Sequence, residues 1–593
     1  MGTQINTTII LIIYIIVMLG IGVYTSKKTK SVSDFVLGGR NVGSWLTAFA
    51  YGTSYFSAVV FIGYAGQFGW NYGISSTWIG IGNALLGSLM PWFILGRRTR
   101  IMSNHVGART MPEFFESRFN STALKLVSAM IVFVFLIPYT ASVYNGLSRL
   151  FGMAFNLGEN GYFYIVVAMA VLSAVYVILG GYTATAINDF VQGIIMIVGI
   201  IAVVISTLNG AGGFSNALKS LGEIESAKDL NTITGPDPIN LLGVVILTSL
   251  GTWGLPQMVQ KFYAIKDEKQ ITKGAVISTI FALIVAGGSY FMGGFVRLYC
   301  SVDGEKGKTL IGTNNGKPEF DSMVPALLDS ALPDILIGLV VVLVLSASLS
   351  TLSSLVLTSS STLTIDLIKP RAKKMTEKKE VLIMRILIAV FLIISVVIAF
   401  NKNASISTLM SYSWGALSGA FLGPFLYSLF SKKVTAASCW ASFGTGIGIT
   451  VVHMILFGFG FEAFSGIVER CNYTQYYHQQ TLLDLYFYHY YSLLPNEHDC
   501  HMYDMNNEII VSNSTKSKDI SDIDKAIEKL KIQEKKLVDL YLSSNLNVDA
   551  INHKNEVIKK EIDKLNKKKQ LLDPNDDFKE YTVELLKKLD YKK

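Results

Sequence analysis

From its start to about residue 465 the chain is a succession of apolar runs of about 20 residues, separated by short polar linkers. A helix of that length crosses a bilayer core of roughly 30 Å. Lipid offers no hydrogen-bond partners, so runs of this kind must satisfy their own backbones as helices. Twelve are read, at about 5–25, 44–65, 75–96, 124–147, 161–180, 188–208, 240–259, 273–297, 334–360, 381–400, 405–430 and 435–460. The expected fold is therefore an all-α multi-pass membrane protein of about 12 transmembrane helices. Charged residues make up only 16% of the chain, against roughly 25% in soluble proteins. The shortfall lies in this body; residues 510–593 are rich in Lys, Asp, Glu and Asn and have no such run.

Loop charge predicts the orientation. Basic residues gather after runs 1, 3, 7, 9 and 11: Lys27 to Arg40, Arg97 to Arg118, Lys261 to Lys273, Lys369 to Lys379, and Lys432 with Lys433. The positive-inside rule places these linkers in the cytoplasm and the N-terminus outside. The formal net charge of +8 is thus a membrane-loop signature, and no nucleic-acid partner is expected. The first run, in IIYIIVMLGIGVYTSKK, has no basic segment before it and no convincing cleavage site, so it is expected to be retained. Cys300, Cys439, Cys471 and Cys500 are too scattered for a disulfide framework.

Inside the ninth run stands SASLSTLSSLVLTSSSTLT, residues 346–364, in which 12 of 19 side chains are Ser or Thr. One such hydroxyl in a membrane helix usually bonds back to the carbonyl four residues earlier. Ala347, Ser350 and Thr351 share a helix face, and Ser350, Ser353 and Ser354 form a second that overlaps it. Grouped hydroxyls and freed carbonyls suit a hard monovalent cation such as Na⁺. Residues 358–364 are expected at the cytoplasmic end, solvated or capping ahead of Asp366. Asp189 follows the Gly180–Gly181 pair at the start of the sixth run. An acid there complements a helix dipole or serves an ion path. Gly251, Gly254 and Pro256, and also Gly423–Pro424, are candidate breaks, which in transporters mark binding sites.

Four stretches carry a family resemblance: SVSDFVLGGRNVGSWLTAFAYGTSYFSA, TMPEFFESRF, VYVILGGYTATAINDFVQGIIM and SWGALSGAFLGPFLYSLFSKKVT. In this order they resemble the sodium/solute symporter family of proline, pantothenate, sialic acid and sodium–sugar cotransporters. The resemblance covers residues 1–460 and implies a LeuT-type fold, two inverted five-helix repeats made from runs 2–6 and 7–11. It implies a sodium site formed by carbonyls of Thr53 and Phe56 with Ala347, Ser350 and Thr351. A second sodium, as in a minority of the family, would use Asp189, Ser350, Ser353 and Ser354. Solute contacts would come from Ser57, Phe61 and Gln67, from Thr252, Trp253 and Gln257, and from Tyr412 and Trp414. Tyr55 stands where the proline-transporting branch has Asp, which weakens a proline assignment. The implied function is Na⁺-coupled uptake of a small organic solute through the plasma membrane, with no catalytic constellation. The solute and the oligomeric state are left open.

The resemblance stops near residue 460. Residues 461–520 read as an irregular linker, in which His498, Cys500 and His501 match no standard metal spacing. Residues 521–593 carry two apolar stripes, Ile523–Ile527–Leu530–Leu537–Tyr541 and Ile551–Ile558–Ile562–Leu565. They predict a coiled-coil hairpin similar to the arm of large serine recombinases, without a recombinase catalytic domain. Two rival readings follow: a non-transporting membrane sensor or scaffold, and an inactive fusion of a truncated transporter with a recombinase fragment.

Overall fold

The computed structural model describes residues 2–26, 31–155, 161–224, 228–305, 307–314, 317–372, 375–400, 405–431 and 433–455, with Glu528 and Glu556. Contacts divide the chain into Met1–Leu493 and Leu494–Lys593. The linker at 461–520 and the coiled-coil hairpin at 521–593 lie outside the described residues, those two glutamates excepted.

The body is helical. Its main elements are α1 (Gly2–Ser26), α2 (Ser44–Tyr55), α3 (59–72), α4 (77–105), α5 (Met111–Phe119), α6 (Thr122–Phe155), α7 (Gly161–Gly210) and α8 (Pro238–Leu250). There follow α9 (Pro256–Ala264), α10 (Lys269–Gly293), α11 (Phe320–Ala331), α12 (Asp334–Thr362), α13 (Glu377–Ala399), α14 (Ile406–Phe430) and α15 (Ala436–His453). Four two-residue strands between 300 and 318 pair in one parallel and one antiparallel couple.

Seven helices among the described residues are long and apolar enough to cross a membrane, or eight if the bent pair α8–α9 is one span. Twelve runs were expected, and the difference has a physical origin. Val59–His105 and Gly161–Gly210, of 47 and 50 residues, each hold parts of two expected runs. The apolar stretch of α15 is shorter, and α14 is diluted by Ser, Gly and Tyr. Gly181 divides α7 internally, with φ 58° and ψ −157°; a Cβ there would meet the Phe35 backbone at 2.9 Å. Pro424 lies inside an uninterrupted α14, so the break expected at Gly423–Pro424 is absent.

Apolar side chains face outward where lipid would cover them. Ile9, Ile12, Ile13 and Ile16 form an exposed stripe on α1, and Leu382, Ile386, Val390, Ile393 and Val397 another on α13. Only 22% of the α1 window is buried, against 83% for the span containing α12. That span is the enclosed centre of the bundle, packed on α1, α2, α6, α7 and α13. Small residues allow the close crossings. A Cβ on Gly69 would stand 1.9 Å from the Gly293 carbonyl oxygen, backbone on backbone. Gly69→Ala is therefore expected to lower thermal stability sharply and to reduce monodisperse protein in detergent. Gly20→Ala, with nothing within 4 Å of its Cβ, is expected to do neither.

The linkers rich in Arg meet at one end, where their charges are largely engaged. Arg100 donates to the carbonyls of Ile265 (2.6 Å) and Lys266 (3.0 Å), and Arg97 pairs with Glu268 at 2.6 Å. Arg118 donates to the Ser428 and Ser431 carbonyls at 3.3 and 2.8 Å, capping α14. This end covers the hydroxyls expected to be wet. Thr358 to Thr362, Thr364 and Asp366 are all buried, with Thr110 donating to Asp366 at 2.7 Å. Lys125 stands 3.9 Å from the same carboxylate.

Candidate functional site

Two helices are broken, and each is the first of an expected five-helix repeat. After α2 the chain is extended at Phe56 (φ −109°, ψ 105°) before helix resumes at Ala58. The second break is a 3₁₀ turn, Gly251–Gly254, then an extended Leu255 (φ −77°, ψ 123°) ahead of Pro256. The bend between the two halves is 54°. Pro256 has no N–H and starts α9 without losing a helical bond. At the first break Val60 and Phe61 both donate to the Ser57 carbonyl, and the Phe56 carbonyl accepts no backbone hydrogen bond from the described residues. Freed backbone of this kind is tolerated at membrane depth only where protein or a cavity encloses it.

α12 lies against this break. Ser350 Oγ donates to Thr53 Oγ1 at 2.7 Å. The Thr351 hydroxyl faces three carbonyls, those of Ala347 (3.1 Å), Thr53 (3.3 Å) and Ser54 (3.4 Å). Thr53, Phe56, Ala347, Ser350 and Thr351 are all buried. The hydroxyls and carbonyls converge without a countercharge, a donor set suited to one alkali cation.

The second expected set is centred on Asp189. Sequence position suggested a helix end at the membrane interface; the structure encloses the residue completely, two turns beyond the Gly181 kink. Ser350 lies beside its carboxylate. Neither carboxylate oxygen has a hydrogen-bond partner among the described residues. Ser353 turns back to the Ser350 carbonyl at 2.8 Å, and Ser354 Oγ meets Ser54 Oγ at 2.7 Å.

Lys261 was expected among the linker charges. Instead it lies inside the bundle on α9, its side chain only 3% exposed. Its Nζ donates to Ser354 Oγ at 2.8 Å and stands 3.9 Å from Asp189 Oδ2 and 5.3 Å from the Tyr182 ring centre. Sequence reading missed it because counting loop charge ignores helix breaks. The break at Leu255 restarts the helix, and α9 carries Lys261 back across α12. The usable signal was Pro256, since a helix beginning there places Lys261 in its second turn rather than beyond its end.

Of the expected solute contacts, Ser57, Phe61, Thr252, Trp253, Gln257 and Trp414 are buried at or beside the breaks. Tyr55 stacks on Phe56 with ring centres 4.3 Å apart and lies 6.3 Å from Trp414, which is 6.1 Å from Tyr139. Tyr55, in the position of the family Asp, donates its hydroxyl to the Thr248 carbonyl at 2.6 Å. Thr252 and Trp253 donate to the carbonyls of Ser249 (2.8 Å) and Leu86 (2.9 Å). Gln257 is 1% exposed, and neither atom of its amide has a partner among the described residues. Gln67 lies further along α3 and is half-buried. Tyr412 is two residues from Trp414, so about 200° around α14, and makes no hydrogen bond or ring contact among the described residues. A separate cavity of about 680 Å³, lined in part by Ala211, Glu223, Tyr299 and Lys308, shares no residue with either break.

A buried amide without partners costs stability, and an apolar replacement removes that cost. Gln257→Leu is therefore expected to leave thermal stability without solute equal or higher. Once a solute is found, its stabilising effect should fall at least about tenfold in apparent affinity, the scale for an unmet polar group.

Helical spans interrupted at the bundle centre, with hydroxyl and carbonyl oxygens gathered at one interruption, define a multi-pass membrane protein of the transporter class. The chain belongs to the sodium:solute symporter family, whose match runs over residues 35–446. It is 30% identical over 464 residues to the sodium/proline symporter of Staphylococcus aureus strain JH9, covering 75% of this chain and 85% of that protein. The protein of the same name from strain N315 matches to the same extent. Its fold is similar to that of a Na⁺-coupled sialic acid symporter solved in a substrate-bound outward-open state. The TM-score is 0.63 at 17% identity, covering 76% of this chain and 92% of that one.

Proposed function

We propose that the protein is a secondary active transporter that couples the entry of Na⁺ to the uptake of a small organic solute by alternating access. The observation that carries this reading is the seating of Ser350 and Thr351 on the first helix break, within 3.4 Å of the Thr53 and Ser54 oxygens. Na⁺ is substrate here. Its ligands would be the carbonyls of Thr53 and Phe56 with those of Ala347 and the hydroxyls of Ser350 and Thr351. An ion at that place joins α2 to α12 and so orders the break. The groups lining the break, Ser57, Gln257, Tyr139 and Trp414, then have fixed positions for a solute. Coupling between the two ligands is reciprocal: whatever factor Na⁺ adds to solute affinity, solute adds to Na⁺ affinity. An inward-negative potential contributes about 2.3 kcal/mol per charge per 100 mV to inward movement.

The lining groups are neutral hydrogen-bonding and aromatic side chains, which suits a small polar solute. The relatives named above are proline and sialic acid symporters; Tyr55 in place of Asp argues against proline as the solute of this chain. A solute library screened by thermal stabilisation, with NaCl against choline chloride, identifies the ligand. Uptake of that ligand into proteoliposomes is expected to need an inward Na⁺ gradient. No Na⁺ dependence of either binding or uptake would favour the sensor or inactive-fusion readings. Truncation after residue 465 that leaves uptake unchanged would exclude a transport role for the tail.

A further inference from the structure

We propose that Lys261 is the built-in second cation of this transporter: its ammonium occupies the place that Asp189, Ser350, Ser353 and Ser354 would offer a second Na⁺, so the chain binds one Na⁺. This inference rests on the reading of Ser350 and Thr351 as the first sodium site.

Three observations converge. Lys261 Nζ is hydrogen-bonded to one member of the set, Ser354, at 2.8 Å and stands 3.9 Å from the acid, Asp189. Both charged side chains are buried, at 3% and 0% exposure, so solvent screens neither. Of the other two hydroxyls, Ser350 donates to Thr53 Oγ1 at 2.7 Å and Ser353 is turned back to the Ser350 carbonyl at 2.8 Å. A buried carboxylate calls for one compensating positive charge, and the ammonium supplies it. A Na⁺ in the same hollow would meet a like charge at contact range and compete for the Ser354 oxygen. Unlike an ion, this cation cannot leave with the solute. It is fixed to α9, the second half of the second broken helix, and reaches through Ser354 to Ser54 in the last turn of α2, at 2.7 Å. One tethered charge thus links both broken helices to the central helix.

The test uses purified full-length protein with Na⁺ alone as the probe. Equilibrium binding of radioactive sodium gives the number of sites, and Na⁺-dependent thermal stabilisation gives the steepness. The parent protein is expected to bind one Na⁺ per chain with a Hill slope of about 1. Lys261→Met and Lys261→Gln are expected to bind a second Na⁺ and to steepen the response. Lys261→Arg keeps the charge and should stay at one. Adding Asp189→Asn to Lys261→Met should return the count to one. Two Na⁺ bound by the parent protein overturns the proposal without any variant, and leaves the first site standing. A folded Lys261→Met protein that still binds one Na⁺ also overturns it. Absence of Na⁺ binding in the parent would instead remove the first-site reading on which the proposal rests.

Discussion

Ser350→Ala is expected to abolish most Na⁺ stimulation while leaving the fold in place. Its hydroxyl donates to Thr53 at 2.7 Å and lies beside Asp189, so it faces the proposed ion site from two sides. Loss of one hydrogen bond costs about 1 kcal/mol of stability. Loss of a direct ion ligand is larger in effect: outer-shell partners alone change metal affinity roughly 10–100-fold. The half-saturating Na⁺ concentration should therefore rise by at least about tenfold, with a small change in thermal stability without Na⁺. Thr351→Ala should behave the same way, and Thr351→Ser, which keeps the oxygen, should recover much of the response. Unchanged Na⁺ dependence in both alanine variants would place the ion elsewhere in the bundle.

The second large effect concerns the buried pair Asp189–Lys261. Removing one partner of a buried ion pair costs about 3–5 kcal/mol, because the other charge remains without compensation. Asp189→Asn strands the ammonium of Lys261 among Ser354, Tyr182 and apolar side chains, so a marked fall in thermal stability is expected. Exchanging both residues, Asp189→Asn with Lys261→Met, removes the stranded charge and should recover most of the loss. The two changes should be strongly non-additive, as contacting residues are. Simple additivity in this cycle would show that the two charges do not sense each other. A buried pair is weak ground for stability in itself, since an apolar pair of the same volume often serves as well. Its place beside the proposed ion site is what makes a functional reading the stronger one.

The hydroxyl-rich segment 346–364 shows how far the sequence reached. Helical periodicity put Ala347, Ser350 and Thr351 on one face, and the structure seats Ser350 and Thr351 on the first break, with the Ala347 carbonyl 3.1 Å from the Thr351 hydroxyl. Periodicity describes a helix and its faces, and those are local properties. Whether residues 358–364 are wet depends on what packs over them, and that is decided by α5, α6 and the arginine-rich linkers. The same distinction explains Asp189, which the chain places near a helix start and the fold encloses.

The family resemblance implied the first break, near Phe56; the chain by itself determined a helical membrane body of apolar runs, the second break near Pro256 and a face of grouped hydroxyls. These follow from hydrophobic length, glycine and proline chemistry, and a period of about 3.6 residues. Only the tertiary structure decided which charges are inside. Lys261 is one lysine among several basic residues in sequence; Pro256 places it within a helix, but nothing local says that this helix is buried. Its burial follows from the bend of 54° between α8 and α9, which turns α9 back against α12. Burial in a low-dielectric interior is what turns a loop charge into a partner for Asp189, and burial is a property of packing rather than of any short stretch of chain.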